Sequence, residues 1–314
     1  MTDTFGRRVD YLRLSVTDLC NYRCRYCMPE KGVPKREHGE ILSVEECIEV
    51  TRAAARCGVT KVRLTGGEPL IRRGILDICR GIARIPEVRE LCLTTNGSLL
   101  PEMAVPLRRA GVDRLNISLD TLRPDRFAAI TRTGTLQQAL DGIAAAEEAG
   151  FTGLKLNTVL IGGFNDDEVG DFLALTVDRP WELRFIELMP MGPCAQWEKA
   201  CFLSAGAVLK RFPELEPIEA QGVALRYRLP GAKGTVGFIS PVSQTFCSQC
   251  RRIRVTADGK LKSCLHSREE IDLRGLRGAA LEEAVRQGIL QKPLEHHLSD
   301  RPSDTPRNMN QIGG

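Results

Sequence analysis

Short apolar segments alternate with amphipathic segments between residues 11 and 188, and this alternation limits the possible folds more than any other feature of the chain. Short runs of branched and apolar residues are typical of buried strands, and longer runs with a helical period are typical of surface helices. The predicted strands are 11–16, 61–64, 91–95, 114–119, 154–160 and 182–188. The predicted helices are 43–57, 74–85, 103–110, 136–149 and 167–177.

Six βα units predict a parallel sheet with right-handed crossovers, and we expect a partial TIM-type (β/α)6 barrel, although an open sheet has the same pattern. Ligands of such folds bind at the carboxyl ends of the strands. Uncommon residues follow four of the predicted strands, namely segment 65–69, segment 95–97, Asp120 and segment 189–192. These ends are therefore the expected active face.

The pattern changes after residue 192, which predicts a core of residues 1–192 and a smaller C-terminal α+β domain of residues 193–314. A turn at Asp258-Gly259 predicts a hairpin. The other predicted elements are a helix at 204–212, strands at 224–229 and 235–239, the hairpin strands 252–257 and 260–265, a helix at 279–289 and a polar tail.

The composition narrows the class of protein. The net charge of +4 demands no nucleic acid but suits a small anionic substrate. No stretch approaches the roughly 20 apolar residues that span a bilayer, and the polar first ten residues resemble no secretory signal. We expect a cytoplasmic protein without a membrane or nucleic-acid partner, present as a monomer or homodimer.

Three cysteines, Cys20, Cys24 and Cys27, follow the first predicted strand with the spacing C-x3-C-x2-C. Three thiolates on one loop can bind three irons of a 4Fe–4S cluster and leave the fourth iron open. A structural zinc site is the alternative, but it requires four ligands, and His38 lies eleven residues further on.

A second set, Cys247, Cys250 and Cys264, has the spacing C-x2-C-x13-C, and the predicted hairpin returns Cys264 to the pair. Zinc is a stronger alternative here because His266 follows closely. Alternation along the strand places Arg252 and Arg254 on one face, where two guanidiniums can bind an anion. The six other cysteines lie in apolar contexts and are expected to be small buried side chains: Cys47, Cys57, Cys79, Cys92, Cys194 and Cys201.

The first cysteine set, with Tyr26 before its third member, and the segment Thr65-Gly66-Gly67-Glu68-Pro69 resemble the radical S-adenosylmethionine (SAM) enzymes. In that family SAM binds the open iron, and the fold is a partial or full barrel. The resemblance extends to the branch that cyclises GTP in molybdenum cofactor biosynthesis, through segments 13–20, 94–97, 116–120, 189–192 and 307–314.

The resemblance implies two 4Fe–4S clusters, SAM as a cofactor, GTP as substrate and an external electron donor. It implies SAM contacts at Tyr26, Gly67, Ser118 and Met189. The implied GTP contacts are Arg13, Arg63, Thr94, Lys155, Arg252 and Arg254. Catalytic roles are implied for Arg252, Arg254 and a flexible tail, Gly313-Gly314, that reaches the site.

The cations within predicted strands have two possible explanations. A buried basic side chain needs a counter-charge. A triphosphate would compensate Arg13, Arg63 and Lys155; pairing with Glu68, Asp120 or Glu187 is the alternative.

The implied reaction is radical ring closure of GTP to 3′,8-cyclo-7,8-dihydroguanosine 5′-triphosphate. Two other functions remain open: a radical SAM enzyme that modifies peptides with the help of an auxiliary cluster, and a non-catalytic iron–sulfur electron carrier.

Overall fold

The computed structural model of the chain describes residues 1–298 and 302–313. Six parallel strands stand side by side in chain order at the centre of one sheet. They are β1 (Tyr11–Ser15), β2 (Lys61–Thr65), β3 (Glu90–Thr95), β4 (Arg114–Ser118), β5 (Lys155–Leu160) and β6 (Glu182–Glu187). The predicted α/β core is confirmed.

The helices follow the predicted order, with one addition between β4 and β5 and a second in the C-terminal segment. They are α1 (Val44–Arg56), α2 (Ile75–Ala83), α3 (Leu100–Arg109), α4 (Pro124–Thr131), α5 (Leu136–Glu148), α6 (Val169–Asp178), α7 (Ala205–Arg211), α8 (Gly278–Leu290) and α9 (Met309–Ile312). A capping box of Ser43 and Glu46 begins α1, because each side chain accepts a backbone N–H of the other residue.

Strands from the C-terminal third extend the sheet at both edges. They are β7 (Glu216–Gln221), β8 (Ala224–Arg228), β9 (Thr235–Ile239), β10 (Arg252–Val255), β11 (Lys260–Lys262) and β12 (Ile271–Asp272). Strand β10 pairs in parallel with β1, and β9 pairs in parallel with β6. The residues after 192 therefore complete the central sheet.

Side chains alternate between the two faces of the central strands. Leu12, Leu14, Val62 and Leu64 are fully buried in the apolar core, which the helices also line. The intervening residues include Tyr11 and Arg13 of β1 and Lys61 and Arg63 of β2, which are aromatic or basic. One face of the sheet thus forms the apolar core and the other carries polar chemistry.

Some elements differ from the sequence prediction. Strand β11 ends at Lys262 rather than at residue 265, so Cys264 lies on the loop that follows. Helix α4, strand β7 and helix α9 were not predicted. The first begins with a proline, the second contains Pro217 near the sheet edge, and the third is a single turn within a polar segment. No helix in the described ranges is long and apolar enough to cross a membrane.

Candidate active site

The first three cysteines lie together on the loop after β1. Burial raises the pKa of Cys24 well above its usual value, and Asp120, Cys27 and Cys20 raise it further. Burial raises the pKa of Cys20 to about 11, with a smaller contribution from Glu68. These thiols therefore lie close enough to oppose one another's ionisation, and metal binding here would release protons.

Backbone contacts fix the shape of this loop. The Cys27 N–H donates to the Cys24 carbonyl at 2.9 Å, and the Tyr22 N–H donates to Cys20 Sγ at 3.3 Å. The Arg23 and Arg25 amides, each at 2.9 Å, donate to carbonyls at the end of α4. This helix, absent from the sequence prediction, is thus what anchors the cysteine loop.

Gly67 and Glu68 follow β2 and pack against the same loop. The Gly67 N–H donates to the Thr17 carbonyl at 2.8 Å, and a Cβ on Gly67 would overlap the Leu19 carbonyl. Glu68 is buried and accepts hydrogen bonds from Thr95 Oγ1 and the Asn96 N–H, both at 2.8 Å. Burial raises the pKa of Glu68 to about 7. Only glycine at position 67 allows the backbone after β2 to come this close to the backbone at Leu19.

Tyr26 and Asp120 form a buried pair at the same end of the sheet. The Tyr26 hydroxyl donates to Asp120 Oδ2 at 2.7 Å, and the Val159 N–H donates to Asp120 Oδ1 at 2.9 Å. Burial raises the pKa of Asp120 to about 6. Ser118 ends β4 two residues earlier, and Met189 follows β6. All four residues with an implied SAM role thus lie in or just after the carboxyl ends of strands.

The second set of cysteines lies beside β10. Burial raises the pKa of Cys247, and the Cys264 and Cys250 thiols add to this effect. Burial also opposes the ionisation of Cys250, but Arg252 and Lys292 outweigh it and lower the pKa of Cys250 to about 7. His266 Nδ1 lies 2.9 Å from Ser303 Oγ, and its ring packs against that of His296.

Four arginines lie near one another on the polar face of the sheet. The strand register places Arg13 opposite both Arg63 and Arg254. Burial lowers the pKa of Arg13 to about 10, and Arg63 and Arg252 lower it further. Burial and the neighbouring Arg13 and Arg252 likewise lower the pKa of Arg254. Such mutual repulsion indicates a site for an anion.

The partners of these cations differ from the carboxylates considered from sequence. Lys155 Nζ lies 2.6 Å from Glu182 Oε2, and Arg184 shares the same carboxylate. Arg63 donates to the Tyr11 hydroxyl at 2.5 Å and to Thr94 Oγ1 at 3.3 Å. Glu187 instead accepts backbone N–H groups of Ala205 and Ser243. The alternative of pairing with Glu68, Asp120 or Glu187 is therefore wrong, because those carboxylates accept hydrogen bonds from backbone N–H and hydroxyl donors instead.

Several buried polar atoms on this face have no partner within the described part of the chain. They are Arg252 Nη2, Asn116 Oδ1 and Asn157 Oδ1. Buried polar groups are normally hydrogen-bonded, so a cluster of unpaired ones indicates a ligand that supplies the missing partners. The two asparagines were missed from sequence, where an asparagine within a strand carries no distinctive signal.

The C-terminal segment lies against the arginines and the first cysteine loop. The Gly313 carbonyl accepts from Arg254 Nη1 at 2.6 Å and from Arg13 Nε at 3.3 Å. Asn310 Nδ2 donates to the Asp18 carbonyl at 2.8 Å, and the Asn310 backbone lies near Cys27, whose pKa it lowers against the larger effect of burial. Gly314, the other predicted tail residue, lies outside the described residues. The expected flexible tail instead contains the turn α9, whose Ile312 is fully buried.

The scattered cysteines follow the expectation with one exception. Cys47, Cys57, Cys79, Cys92 and Cys194 are buried, whereas Cys201 is only half-buried because it lies on a surface turn. Cys194 donates to the carbonyls of Met189 and Met191, both at 3.1 Å, and so supports the segment after β6.

Family models and curated relatives match most or all of the chain. The Radical SAM superfamily model matches residues 14–176, and the Molybdenum Cofactor Synthesis C model matches residues 181–304. The GTP 3′,8-cyclase of Alkaliphilus metalliredigens is 50% identical over 320 residues, covering 100% of both chains. That of Geobacter sulfurreducens is 50% identical over 325 residues, covering 100% of this chain and 99% of the relative.

Two solved structures share the fold. Streptococcus suis SuiB, bound to precursor peptide SuiA, has a TM-score of 0.61 and 11% identity, covering 94% of this chain and 67% of SuiB. Native anSMEcpe with bound AdoMet has a TM-score of 0.60 and 12% identity, covering 92% of this chain and 82% of that one. At these identities the likeness concerns the fold alone. On the full-length identity to its curated relatives, the chain belongs to the GTP 3′,8-cyclase family of radical SAM enzymes.

Proposed function

We propose that this chain cyclises GTP to 3′,8-cyclo-7,8-dihydroguanosine 5′-triphosphate, the first step of molybdenum cofactor biosynthesis. The observation that carries this proposal is the 50% identity, over the whole chain, to relatives named GTP 3′,8-cyclase. The buried arginine group supports it, because burial and neighbouring arginines lower the pKa of Arg13 and Arg254, and a triphosphate supplies negative charge beside them.

The first cluster belongs on Cys20, Cys24 and Cys27, which suit it because three neighbouring thiols leave one iron free. When bound, the reduced cluster and SAM together supply the reagent that removes one hydrogen atom from the substrate. The chain provides the surroundings. Tyr26, Gly67, Ser118 and Met189 would hold SAM, and the Tyr26–Asp120 hydrogen bond would keep the Tyr26 ring in place.

The second cluster belongs on Cys247, Cys250 and Cys264 and would offer an open iron to the guanine base. Three observations support this placement. The Cys264 and Cys250 thiols raise the pKa of Cys247, the pKa of Cys250 is lowered to about 7, and Arg254 lies near both Cys250 and Cys264. The ligands are thus ready to bind iron beside the arginines that would hold the triphosphate.

The substrate contacts follow the polar face of the sheet. We assign them to Arg13, Arg63, Thr94, Lys155, Arg252 and Arg254, and the unpaired oxygens of Asn116 and Asn157 can accept hydrogen bonds from the nucleoside. Gly313 would close this site, with Gly314 beyond it, because its carbonyl already contacts Arg13 and Arg254. Closure by the tail would exclude water from a reactive intermediate.

The proposal also covers the domain organisation, the electron donor and the compartment of the protein. Residues 1–192 would form the radical SAM unit, and residues 193–314 would carry the second cluster and the tail. An external one-electron donor is required. We propose a cytoplasmic protein, monomeric or homodimeric, because reduced thiols in such number suit a reducing compartment.

Anaerobic turnover tests the function directly. The protein is reconstituted with iron and sulfide and incubated with SAM, dithionite and GTP. The nucleotides are then separated by chromatography and identified by mass spectrometry. We expect a cyclised isomer of GTP and 5′-deoxyadenosine in equal amounts. No cyclised nucleotide, with deoxyadenosine formed only when a peptide is added, would instead indicate a peptide-modifying enzyme. No binding of SAM would indicate an electron carrier.

Two cysteine variants separate the roles of the two sets. Cys27→Ala should abolish SAM cleavage, because the first cluster loses a ligand. Cys264→Ala should keep part of the SAM cleavage and lose ring closure, because only the second set is damaged. Equal loss of both activities in both variants would contradict the division of roles, and metal analysis showing zinc alone would contradict both clusters.

A further inference from the structure

A lysine that has no role in the proposed function lies buried beside the second set of cysteines. Lys292 follows α8 and is 3% exposed. Its Nζ donates to the Arg252 carbonyl at 2.9 Å and to the Ser263 carbonyl at 2.7 Å. Its charge also acts on Cys250, because Lys292 and Arg252 lower the pKa of that thiol.

The two acceptors lie on the two segments that carry cysteines. Arg252 comes two residues after Cys250, and Ser263 comes immediately before Cys264. One ammonium group therefore ties both sides of the β10–β11 hairpin together at the point where the thiols must converge. Without it, the Ser263 carbonyl and the Arg252 carbonyl would each lose a charge-assisted hydrogen bond.

A second buried cation keeps Lys292 in place from the other side. Arg7 is buried, and its Nε lies 2.6 Å from Asp3 Oδ2. Its other nitrogens donate to the carbonyls of Lys292 at 3.3 Å, Pro293 at 2.7 Å, Leu294 at 2.8 Å and Cys247 at 3.0 Å. The segment that carries Lys292 and the turn that carries Cys247 are thus bound to one side chain.

The surroundings of the two sets of cysteines have opposite charge. Carboxyl groups of Glu68 and Asp120 face the first set, as its electrostatic interactions show. Cationic groups of Lys292 and Arg252 face Cys250 in the second set. Hydrogen bonds to cluster sulfurs and nearby positive charge favour the reduced, more negative state of an iron–sulfur cluster.

We propose that Lys292 is a positioning residue for the second cluster: its two carbonyl hydrogen bonds hold the Cys250 and Cys264 segments together, and its buried positive charge beside both segments makes that cluster easier to reduce. This inference rests on the proposed second cluster. Lys292 is not a cluster ligand, and the family resemblance implies no role for it. Lys292 would act through Cys250 and not by touching the substrate.

The test uses the full chain with Cys20, Cys24 and Cys27 changed to serine, so that any remaining cluster is the second one. Lys292→Met and Lys292→Gln remove the charge, and Lys292→Arg keeps it. The matched control is Lys260→Met, a lysine on β11 whose partner is the exposed Asp272. Iron per chain is counted, and the potential for one-electron reduction is measured by redox titration monitored by electron paramagnetic resonance.

We expect Lys292→Met and Lys292→Gln to shift the potential downwards, changing the ratio of reduced to oxidised cluster about tenfold at a fixed potential, or 59 mV for one electron. Lys292→Arg should restore most of the shift, and Lys260→Met should behave like the parent. Loss of iron from the charge-free variants alone would also support the proposal. An unchanged iron content and potential in both charge-free variants would overturn it.

Two further readouts distinguish the possible failures. If the parent without the first cysteines binds no iron, the proposed second cluster is wrong, and this is known before any lysine variant is made. Folding is checked by SAM cleavage in chains that keep Cys20, Cys24 and Cys27. If both charge-free variants lose SAM cleavage as well, Lys292 supports the whole fold and the specific role is overturned.

Discussion

The carbonyl oxygen of Gly313 lies 2.6 Å from Nη1 of the buried Arg254, which joins the last described residue of the chain to the arginine group on the sheet. Gly313 has a φ of +80°, and a Cβ there would overlap Thr65 Oγ1. The C-terminal segment therefore has little room for any other residue at this position.

Gly313→Ala should impair ring closure. Both the backbone conformation and the contact with Thr65 oppose a side chain, and strain of about 1–3 kcal/mol would displace the tail from Arg254. We expect GTP cyclisation to fall about 10- to 100-fold, while SAM cleavage without product persists. Gly231→Ala is the control, because Gly231 has a φ of +76° with no heavy atom near its Cβ position. Equal effects of both variants would contradict a role for the Gly313 contact.

Tyr26→Phe should destabilise the apo protein by about 1–3 kcal/mol, because a buried carboxylate of Asp120 loses a hydrogen-bond donor. The effect should depend on pH. The pKa of Asp120 is raised to about 6, above its unfolded value, so its contribution to stability is complete below about pH 4 and is lost as the pH rises through 6.

Urea unfolding of the apo protein under reducing conditions, at pH 5 and at pH 8, measures this difference. Tyr26→Phe should raise the pKa of Asp120 further and should therefore cost more stability at pH 8 than at pH 5. In an Asp120→Asn background the pH dependence should disappear. A loss of stability that is equal at both pH values would show that Asp120 is not the partner that matters.

GTP affinity should fall above pH 8. Burial, together with the neighbouring Arg184, lowers the pKa of Lys155 to about 8. Below pH 8 the Lys155 ammonium group is charged and attracts phosphate. Above pH 8 the Lys155 amine is neutral, so GTP binding requires that this amine first take up a proton. We expect the Kd for GTP to rise by up to about tenfold per pH unit above 8, measured anaerobically by calorimetry.

Two lysine variants check the assignment of this pH dependence. Lys155→Met should bind GTP weakly at pH 7 and should show a flatter pH profile. Lys210→Met, which changes an exposed lysine on α7, should retain the profile of the parent. An unchanged profile in Lys155→Met would exclude Lys155 as the titrating group.

Arg307→Met should destabilise the fold by about 2–3 kcal/mol, because Asp258 and Glu270 would each lose two charge-assisted hydrogen bonds and keep only the longer ion pairs with Arg36 and Lys262. Arg307 makes paired hydrogen bonds to Asp258, both at 3.0 Å, and to Glu270, at 2.6 and 2.7 Å. Equilibrium unfolding in urea measures the loss. The exposed pair of Arg80 and Asp77 is the control, and Arg80→Met should cost less than about 1 kcal/mol.

The sequence was most informative where a local pattern corresponds to a local structure. Period and turn signals predicted β1 to β6 to within one or two residues, and spacing alone singled out both sets of cysteines. The active face followed from parallel strands, since Gly67, Asp120 and Met189 come directly after strands.

Contacts between distant segments were not predictable in the same way. Three examples are the ion pair of Lys155 and Glu182, the hydrogen bond of Asn310 to the Asp18 carbonyl, and the contacts of Lys292. They join residues far apart in the chain with no motif around them. Edge strand β7 and the short α9 are too irregular or too brief for a periodic signal. Tertiary packing, and not local propensity, determines these features.

Turnover with GTP that carries deuterium at C3′ tests the central claim most directly. The reconstituted protein is incubated with this GTP, SAM and dithionite without oxygen, and 5′-deoxyadenosine is analysed by mass spectrometry. We expect one deuterium atom in the deoxyadenosine, matched by an equal amount of cyclised nucleotide without deuterium at that carbon. Deoxyadenosine free of deuterium, alongside unchanged GTP, would contradict the account.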